Sequence, residues 1–159
     1  MAITATPPPG VDFLFEAAVR ALDDQMRWID ALDTKAGVLL AADGVIAGLV
    51  LTRGSMLLGA PAWVGVLVAF LLFISLVLAL LSFSTRRFEL APDLSALVPA
   101  ARTSSGPSLR WAALPDILSA LEINEPKIGQ KANLLFYSGA GLMVAAGLFG
   151  GYFLSQLIK

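Results

Sequence analysis

Long uncharged apolar stretches alternate with charged ones along this chain of 159 residues. Residues 62–83 are apolar almost throughout and carry no charged side chain. Residues 134–158 are equally free of charge, and Tyr137 and Tyr152 lie near the two ends of this stretch. A membrane-spanning helix needs ~20 apolar residues, and tyrosine rings favour the membrane interface. The pattern therefore predicts two membrane spans, 62–83 and 134–158.

A third apolar stretch, 36–52, is shorter and contains one acid, Asp43. Apolar residues recur every seven positions in the sequence before it, including Phe15 and Leu22, and no glycine or proline interrupts 11–36. This spacing is typical of a helix with one apolar face. We expect one long helix whose first part is cytoplasmic and amphipathic and whose last part, 36–52, is the first span.

Strand signals are absent, so the predicted fold is an all-α integral membrane protein with three transmembrane helices. Residues 1–10 contain three consecutive prolines and are expected to form a disordered tail. The remainder, 11–159, is expected to be a single membrane domain, with a cytoplasmic helix over 11–35 and a cytoplasmic segment over 86–133. The short link between the first two spans predicts an antiparallel hairpin.

The segment between the second and third spans is rich in turn-forming residues at its start. We expect an irregular loop over 91–108 and a short helix over 115–122. Asn124 is a candidate cap for the next helix, because asparagine is favoured at helix N-termini and Pro126 suits a first turn.

Charge placement predicts the orientation of the spans. Nine of the 11 Lys and Arg residues fall in 1–35 and 86–133, while Arg53 and Lys159 are on the other side of the predicted spans. Cytoplasmic loops carry an excess of basic residues. The N-terminus and the 86–133 segment are therefore expected in the cytoplasm and the C-terminus outside. No export signal is evident, because the N-terminus lacks a basic region followed by a short apolar core.

Composition narrows the chemistry. The chain has no Cys and no His, which excludes thiolate nucleophiles, imidazole catalysis and Cys/His metal sites. Carboxylates and serines are scattered without a catalytic constellation, so we expect no enzymatic activity, no catalytic residue and no metal. A formal net charge of −1 gives no reason to expect a nucleic-acid partner.

Small residues suggest how the spans associate. Gly44 and Gly48 form a GxxxG motif in the first span, and Gly147 and Gly151 form another in the third. Such motifs allow helix backbones to approach closely in lipid. We expect the first and third spans to pack closely, within or between subunits of an oligomer, and the second span to face lipid more.

Asp43 is the most informative single residue, since an acid inside a span costs ~2.5–3.5 kcal/mol on insertion scales. It could be a pore-lining, gating or proton-coupled group. Alternatively, it is a structural residue that is protonated or hydrogen-bonded by Ser75, Ser82 or Tyr137. Asp33 lies on the same side of the helix at the expected membrane surface, where charges either gate or anchor helix ends.

Four arginines of the cytoplasmic segment are candidate ligands for a phosphate group: Arg86, Arg87, Arg102 and Arg110. Trp111 follows the last of them, and an aromatic ring beside arginines can hold a nucleotide base. No glycine-rich phosphate loop accompanies them, and the alternative is that these charges anchor and orient the spans.

Two stretches resemble the Pycsar membrane effector family. Residues 27–40, RWIDALDTKAGVLL, resemble the Asp-x-Lys-Ala segment that leads into the family's first span. Residues 131–142, KANLLFYSGAGL, resemble its Lys-led entry into the final span. The arrangement of a cytoplasmic helix, a hairpin of spans, a cytoplasmic segment and a last span is similar too. The related SLATT-type membrane effectors share this plan.

The resemblance implies an antiphage effector of the bacterial inner membrane. In such systems a neighbouring cyclase makes a cyclic pyrimidine mononucleotide (cUMP or cCMP) on infection, and the effector then impairs the membrane. The motif positions Asp33, Lys35 and Ala36 have no implied catalytic role and are expected to make helix contacts at the membrane surface. The chain has no separate nucleotide-binding domain, so a ligand site would be built from the cytoplasmic helix and 86–133.

Two other functions fit the same residues. A constitutive ion or proton channel, or a transporter subunit, would use Asp43 without any nucleotide. A non-conducting membrane scaffold would bind a soluble partner through the apolar face of its first helix.

Overall fold

The structure is a computed structural model that describes residues 7–57, 61–83, 88–89, 98 and 105–158, with side chains at 53–57, 62 and 157 excepted. It contains three long helices: α1 (Val11–Leu57), α2 (Ala62–Phe83) and α3 (Gly106–Leu157). No strand occurs in the described part of the chain. The predicted all-α fold with a long first helix is confirmed. Most of the expected tail, 1–10, and of the expected loop, 91–108, lies outside the described residues.

Each of the three helices is long and apolar enough to cross a membrane. The qualifying stretches are Val11–Thr52, Trp63–Phe83 and Gly106–Gln156. Each contains one of the predicted spans, 36–52, 62–83 and 134–158 respectively. The chain is therefore a multi-pass membrane protein with three candidate spans.

Helix α1 begins at a glycine turn. Gly10 has a φ of +93°, a left-handed conformation that side chains rarely adopt, and its carbonyl accepts a 3.1 Å hydrogen bond from the Leu14 amide. The Val11 amide donates to the carbonyl of Pro8 at 3.2 Å. These contacts satisfy two amides that a helix start would otherwise leave without partners. The helix start at Val11 agrees with the apolar pattern of the sequence.

Helix α3 differs from the expectation of a short helix followed by a new one. It continues without a break through Pro115 and Pro126, each of which lacks an amide hydrogen for the helix. Asn124 is fully buried inside the helix and is therefore not the cap that its neighbouring proline suggested. Leu114 and Ile117 of α3 pack with Ala18 of α1 in an apolar core, and this packing stabilises the helix despite its prolines.

Contacts group the chain into two compact units. The first, here the charged unit, comprises 1–30 and 86–129, and the second, the membrane unit, comprises 31–85 and 130–159. The core of the charged unit is Ala18, Leu114 and Ile117. Phe15, Leu22, Trp111 and Leu121 pack around it. The apolar face predicted for the first part of α1 is therefore used within the chain itself.

The core of the membrane unit joins all three helices. Val68 and Leu72 of α2 pack with Leu142 and Ala145 of α3. Residues of α1 complete the cluster: Leu39, Ala42, Ile46 and Val50. The prediction that the second span faces lipid more is wrong. Its small and medium side chains meet both other helices, and it has five buried residues: Val68, Leu72, Ser75, Ala79 and Ser82.

Candidate functional site

A hydrogen bond connects α1 and α2 in the middle of the membrane unit. Asp43 of α1 is 3% exposed, and its Oδ2 accepts a 2.9 Å hydrogen bond from the hydroxyl of Ser75 in α2. Ser82 and Tyr137, the other two candidate partners, are engaged elsewhere or exposed. Of the structural alternatives for Asp43, the geometry therefore selects the bond to Ser75.

The same serine connects α2 to α3. The Ser138 hydroxyl donates to the Ser75 carbonyl at 2.9 Å, and the Ser75 hydroxyl lies 3.0 Å from the Ser138 carbonyl. The two hydroxyl oxygens are 3.2 Å apart, and both residues are fully buried. A hydroxyl carries one proton, so Ser75 donates either to Asp43 or to Ser138 at a given moment. Ser75 is thus the junction of the three helices.

An ion pair connects α1 and α3 in the same unit. Lys131 Nζ is 2.5 Å from Asp33 Oδ1, and the lysine side chain is 5% exposed while that of the aspartate is 36% exposed. The Lys131 carbonyl accepts a 3.4 Å hydrogen bond from the Ser82 hydroxyl of α2. The two stretches that resemble the effector family therefore meet directly, since one supplies Asp33 and the other Lys131.

We call these polar contacts the polar seam. Its members are Asp33, Asp43, Ser75, Ser82, Lys131 and Ser138. Apolar side chains gain little by leaving lipid for a protein interior, so polar contacts and close packing must hold membrane helices together. The seam supplies such contacts between every pair of helices in the unit.

The residues predicted to gate or to make helix contacts differ in their surroundings. Asp33 and Asp43 both contact a neighbouring helix through the seam. Lys35 is exposed, and Ala36, the last residue of the Asp-x-Lys-Ala segment, is fully buried. The segment thus combines an ion-pairing acid with a small residue that allows close packing. A gating role for Asp33, Lys35 or Asp43 stays a prediction.

The four glycines of the GxxxG motifs face open space. A Cβ atom built at Gly44, Gly48, Gly147 or Gly151 meets nothing within 4 Å. Within the chain, a Cβ at Gly141 would lie 3.8 Å from the Leu71 carbonyl oxygen and from Ser75 Cβ of α2, and one at Gly139 would lie 3.8 Å from Leu39 Cδ2 of α1. Packing of the GxxxG faces between subunits stays a prediction.

Of the candidate phosphate ligands, Arg86, Arg87 and Arg102 lie outside the described residues. Arg110 belongs to the charged unit, where its Nη1 is 2.7 Å from Asp12 Oδ1 and its guanidinium lies 5.9 Å from the Phe15 ring centroid. Trp111 is half-buried against the core of that unit. A phosphate group at Arg110 would have to compete with the Asp12 carboxylate.

The charged unit contains two partly buried polar contacts that the sequence did not indicate. The Asn124 side-chain amide accepts from the Glu89 amide and donates to the Glu89 carbonyl, both at 3.0 Å. Gln25 donates through Nε2 to the Leu121 carbonyl at 3.1 Å, and its Oε1 is buried without a partner among the described residues. Asn124 lies on an otherwise apolar face of its helix. That position was the sequence signal that could have predicted a buried, hydrogen-bonded asparagine.

A pocket of about 300 Å³ adjoins Gln25 in the charged unit. It is lined by Gln25, Trp28, Glu125 and Ile128, and the Trp28 ring is largely exposed. An exposed indole ring and a carboxylate can together hold a flat molecule with hydrogen-bond donors. The described residues contain no group of three or more acids that could hold a metal ion.

Comparison with known proteins identifies the family of this chain. The family model PycTM, the Pycsar effector protein domain, matches residues 17–125. The match includes Asp33, Asp43 and Ser75 and ends before Lys131 and Ser138. No curated protein and no solved structure matches the chain. With its three candidate spans and a match over more than half its length, the chain belongs to the family of Pycsar effectors, membrane proteins of antiphage defence.

Proposed function

We propose that this protein impairs the bacterial inner membrane when a cyclic pyrimidine mononucleotide, cUMP or cCMP, is produced on infection. The action is non-enzymatic, and the functional partner is the nucleotide cyclase that makes the signal. The observation that carries this proposal is the family match over 17–125, which covers parts of both the charged unit and the membrane unit. One unit then offers surfaces for a nucleotide, and the other offers the spans.

The charged unit supports nucleotide binding through two features. The exposed Trp28 ring suits a stacked base, and the Glu125 carboxylate in the same pocket can accept hydrogen bonds from the N–H groups of that base. The Glu125 carboxylate would repel a phosphate, so we assign the base end to this pocket. The phosphate is assigned to the arginines Arg86, Arg87, Arg102 and Arg110.

The membrane unit supports an oligomeric lesion. The polar seam pairs polar side chains of the three helices inside one copy, while the GxxxG faces at Gly44, Gly48, Gly147 and Gly151 leave room for a second backbone. Close backbone approach is the usual basis of association between membrane helices. We propose that homo-oligomers form through these faces.

Liposomes loaded with a fluorescent dye test the proposed function directly. With purified protein in the bilayer, we expect dye release on addition of cUMP or cCMP and none with cAMP. Dye release without any nucleotide would support the constitutive channel instead. If Asp43→Asn then abolished the release, Asp43 would be the residue on which conduction depends. No release under any condition would favour a scaffold or a missing partner.

A matched pair of variants locates the nucleotide site. We expect Trp28→Ala to raise the nucleotide concentration needed for release about tenfold, because stacking of a base on an aromatic ring contributes ~1–3 kcal/mol. Trp63→Ala is the control, since Trp63 is equally exposed but belongs to the membrane unit. Equal effects of both substitutions would argue against the pocket at Gln25.

The proposed orientation has the N-terminus and 86–133 in the cytoplasm. Because the chain contains no Cys, single cysteines at the exposed positions Ala17, Ser119 and Ser155 have no background. We expect a membrane-impermeant maleimide to label Ser155→Cys in intact spheroplasts and Ala17→Cys and Ser119→Cys only after lysis. The reverse pattern would overturn the orientation.

A further inference from the structure

The outer surface of the three spans is apolar wherever it is exposed. Over 38–51, 63–83 and 138–154, every exposed residue is a glycine or carries an apolar side chain. Phe73 of α2 is 63% exposed and Met143 of α3 is 77% exposed. Such a surface suits the hydrocarbon of the bilayer, but it does not suit the wall of a water-filled path, because apolar constrictions exclude water.

The polar groups at the same depth are turned into the protein. Asp43 is 3% exposed, Ser82 is 2% exposed, and Ser75 and Ser138 are fully buried. All four belong to the polar seam and contact one another or a neighbouring backbone carbonyl. Polar residues inside membrane spans that pair with one another commonly mark ion pathways.

Association of copies does not by itself supply a polar wall. The GxxxG faces at Gly44, Gly48, Gly147 and Gly151 belong to the apolar outer surface, so packing them together brings apolar residues into contact. Ions cross a membrane protein where polar groups replace part of their hydration. Among the described residues at this depth, the polar seam is the place where such groups are collected.

We propose that the polar seam is the closed conduction path of this protein for cations. On activation the three helices part along the seam, and Asp43, Ser75 and Ser138 come to face water. Asp43 is the ionisable group beside the two serines, and acidic side chains along a path favour cations. The inference rests on the proposed function, since it names the residues through which the membrane is impaired.

The ion pair between Asp33 and Lys131 keeps the seam closed. It connects α1 to α3, and the Lys131 side chain is 5% exposed. The Lys131 carbonyl also accepts the hydrogen bond from Ser82 of α2, so this residue contacts both other helices. Opposite charges hold the helix ends together, whereas like charges there would drive them apart. The pair therefore offers a way to open the seam without any nucleotide.

Charge reversal tests the pair in liposomes that carry a potassium gradient. Without nucleotide, we expect Asp33→Lys to raise the potassium leak about tenfold or more, because losing one partner of a buried ion pair shifts an equilibrium at least that far. Adding Lys131→Asp to Asp33→Lys restores the attraction and should return the leak to that of the natural chain. A folded Asp33→Lys protein that does not leak, or a leak that the second substitution does not reduce, would overturn the role of the pair.

Circular dichroism shows whether Asp33→Lys folds. If it does not, Lys131→Met replaces it, and Lys131→Met with Asp33→Asn becomes the restored pair, because removing both charges leaves none of them unpartnered.

Single cysteines show whether the open seam meets water. The chain has no Cys, and Ser75→Cys and Phe73→Cys are two positions apart on α2, one buried in the seam and one on the outer surface. A cationic methanethiosulfonate reacts with the thiolate, which forms in water; a mixed disulfide results and methanesulfinate leaves. Together with Asp33→Lys, we expect Ser75→Cys to be modified and Phe73→Cys to stay unmodified. With Asp33 unchanged and no nucleotide, neither should react.

The ion preference of the leak tests Asp43. In the Asp33→Lys protein, Asp43→Asn should lower the preference for potassium over chloride severalfold, measured as a reversal potential across a planar bilayer. An unchanged preference would exclude Asp43 from the path.

The remaining outcomes separate the path from its trigger. Equal modification of Ser75→Cys and Phe73→Cys in a leaking protein would indicate general disruption of the bilayer and overturn the path. A potassium leak without modification of Ser75→Cys would overturn it too. If Asp33→Lys leaks with Ser75→Cys modified, while cUMP and cCMP leave the natural chain closed, the path is supported and the proposed nucleotide trigger is contradicted.

Discussion

Asp33→Asn is expected to lower the free energy of unfolding by about 3 kcal/mol, the lower end of the range for removing one partner of a buried ion pair. The Lys131 side chain is 5% exposed and would lose its carboxylate partner in a poorly hydrated place. The lower end applies because Asp33 itself is 36% exposed. Denaturant titration of the detergent-solubilised protein, followed by circular dichroism, measures the change.

Asp23→Asn is the matched control on the same helix. Asp23 pairs with Arg27 at 2.8 Å, but both side chains are mostly exposed, and such pairs contribute only about 0.3–0.5 kcal/mol. Combining Asp33→Asn with Lys131→Met should recover much of the lost stability, because removing both charges leaves no buried ammonium. Equal losses for Asp33→Asn and Asp23→Asn would contradict the importance of this ion pair.

Ser75→Ala is expected to cost about 1–2 kcal/mol. Single interhelical hydrogen bonds in membranes average ~0.6 kcal/mol with a maximum of ~1.7, and Ser75 makes contacts to two helices at once. Its loss leaves the carboxylate of Asp43 buried with neither oxygen bonded to a donor on the described residues. The same denaturant titration measures the effect.

Ser155→Ala is the control, because Ser155 is exposed and its hydroxyl bonds to the Tyr152 carbonyl of its own helix. A double-mutant cycle with Asp43→Ala identifies the source of the cost. Once the carboxylate is removed, Ser75→Ala should cost much less than in the natural chain. Additive losses in the cycle would show that Asp43 and Ser75 are not coupled.

The class of this protein follows from the apolar pattern of its residues. Uncharged apolar stretches long enough to cross a bilayer can form only helices or closed barrels there, and the helical spacing of 11–52 left no strand pattern. The short segments 27–40 and 131–142 were sufficient to indicate the effector family, which the family match over 17–125 confirms for the first of them.

Local sequence patterns gave wrong helix ends where tertiary contacts stabilise a helix that its own residues disfavour. Pro115, Asn124 and Pro126 are typical of helix ends, yet α3 continues through all three. The apolar core of the charged unit and the paired amide of Asn124 with Glu89 stabilise the helix more than the prolines disfavour it. The GxxxG motifs predicted close packing of the first and third spans within or between subunits; within the chain, the described glycines that come near another helix are Gly139 and Gly141.

Partners across helices were decided only by the tertiary structure. The sequence showed that Asp43 and Asp33 were acids in costly positions, but it offered several donors at comparable depth. Only the packing of α2 between the other two helices brings Ser75 to both Asp43 and Ser138 and places Lys131 beside Asp33. The physical reason is that hydrophobicity fixes how deep a residue lies in the membrane, while the rotation of each helix about its axis depends on all its neighbours together.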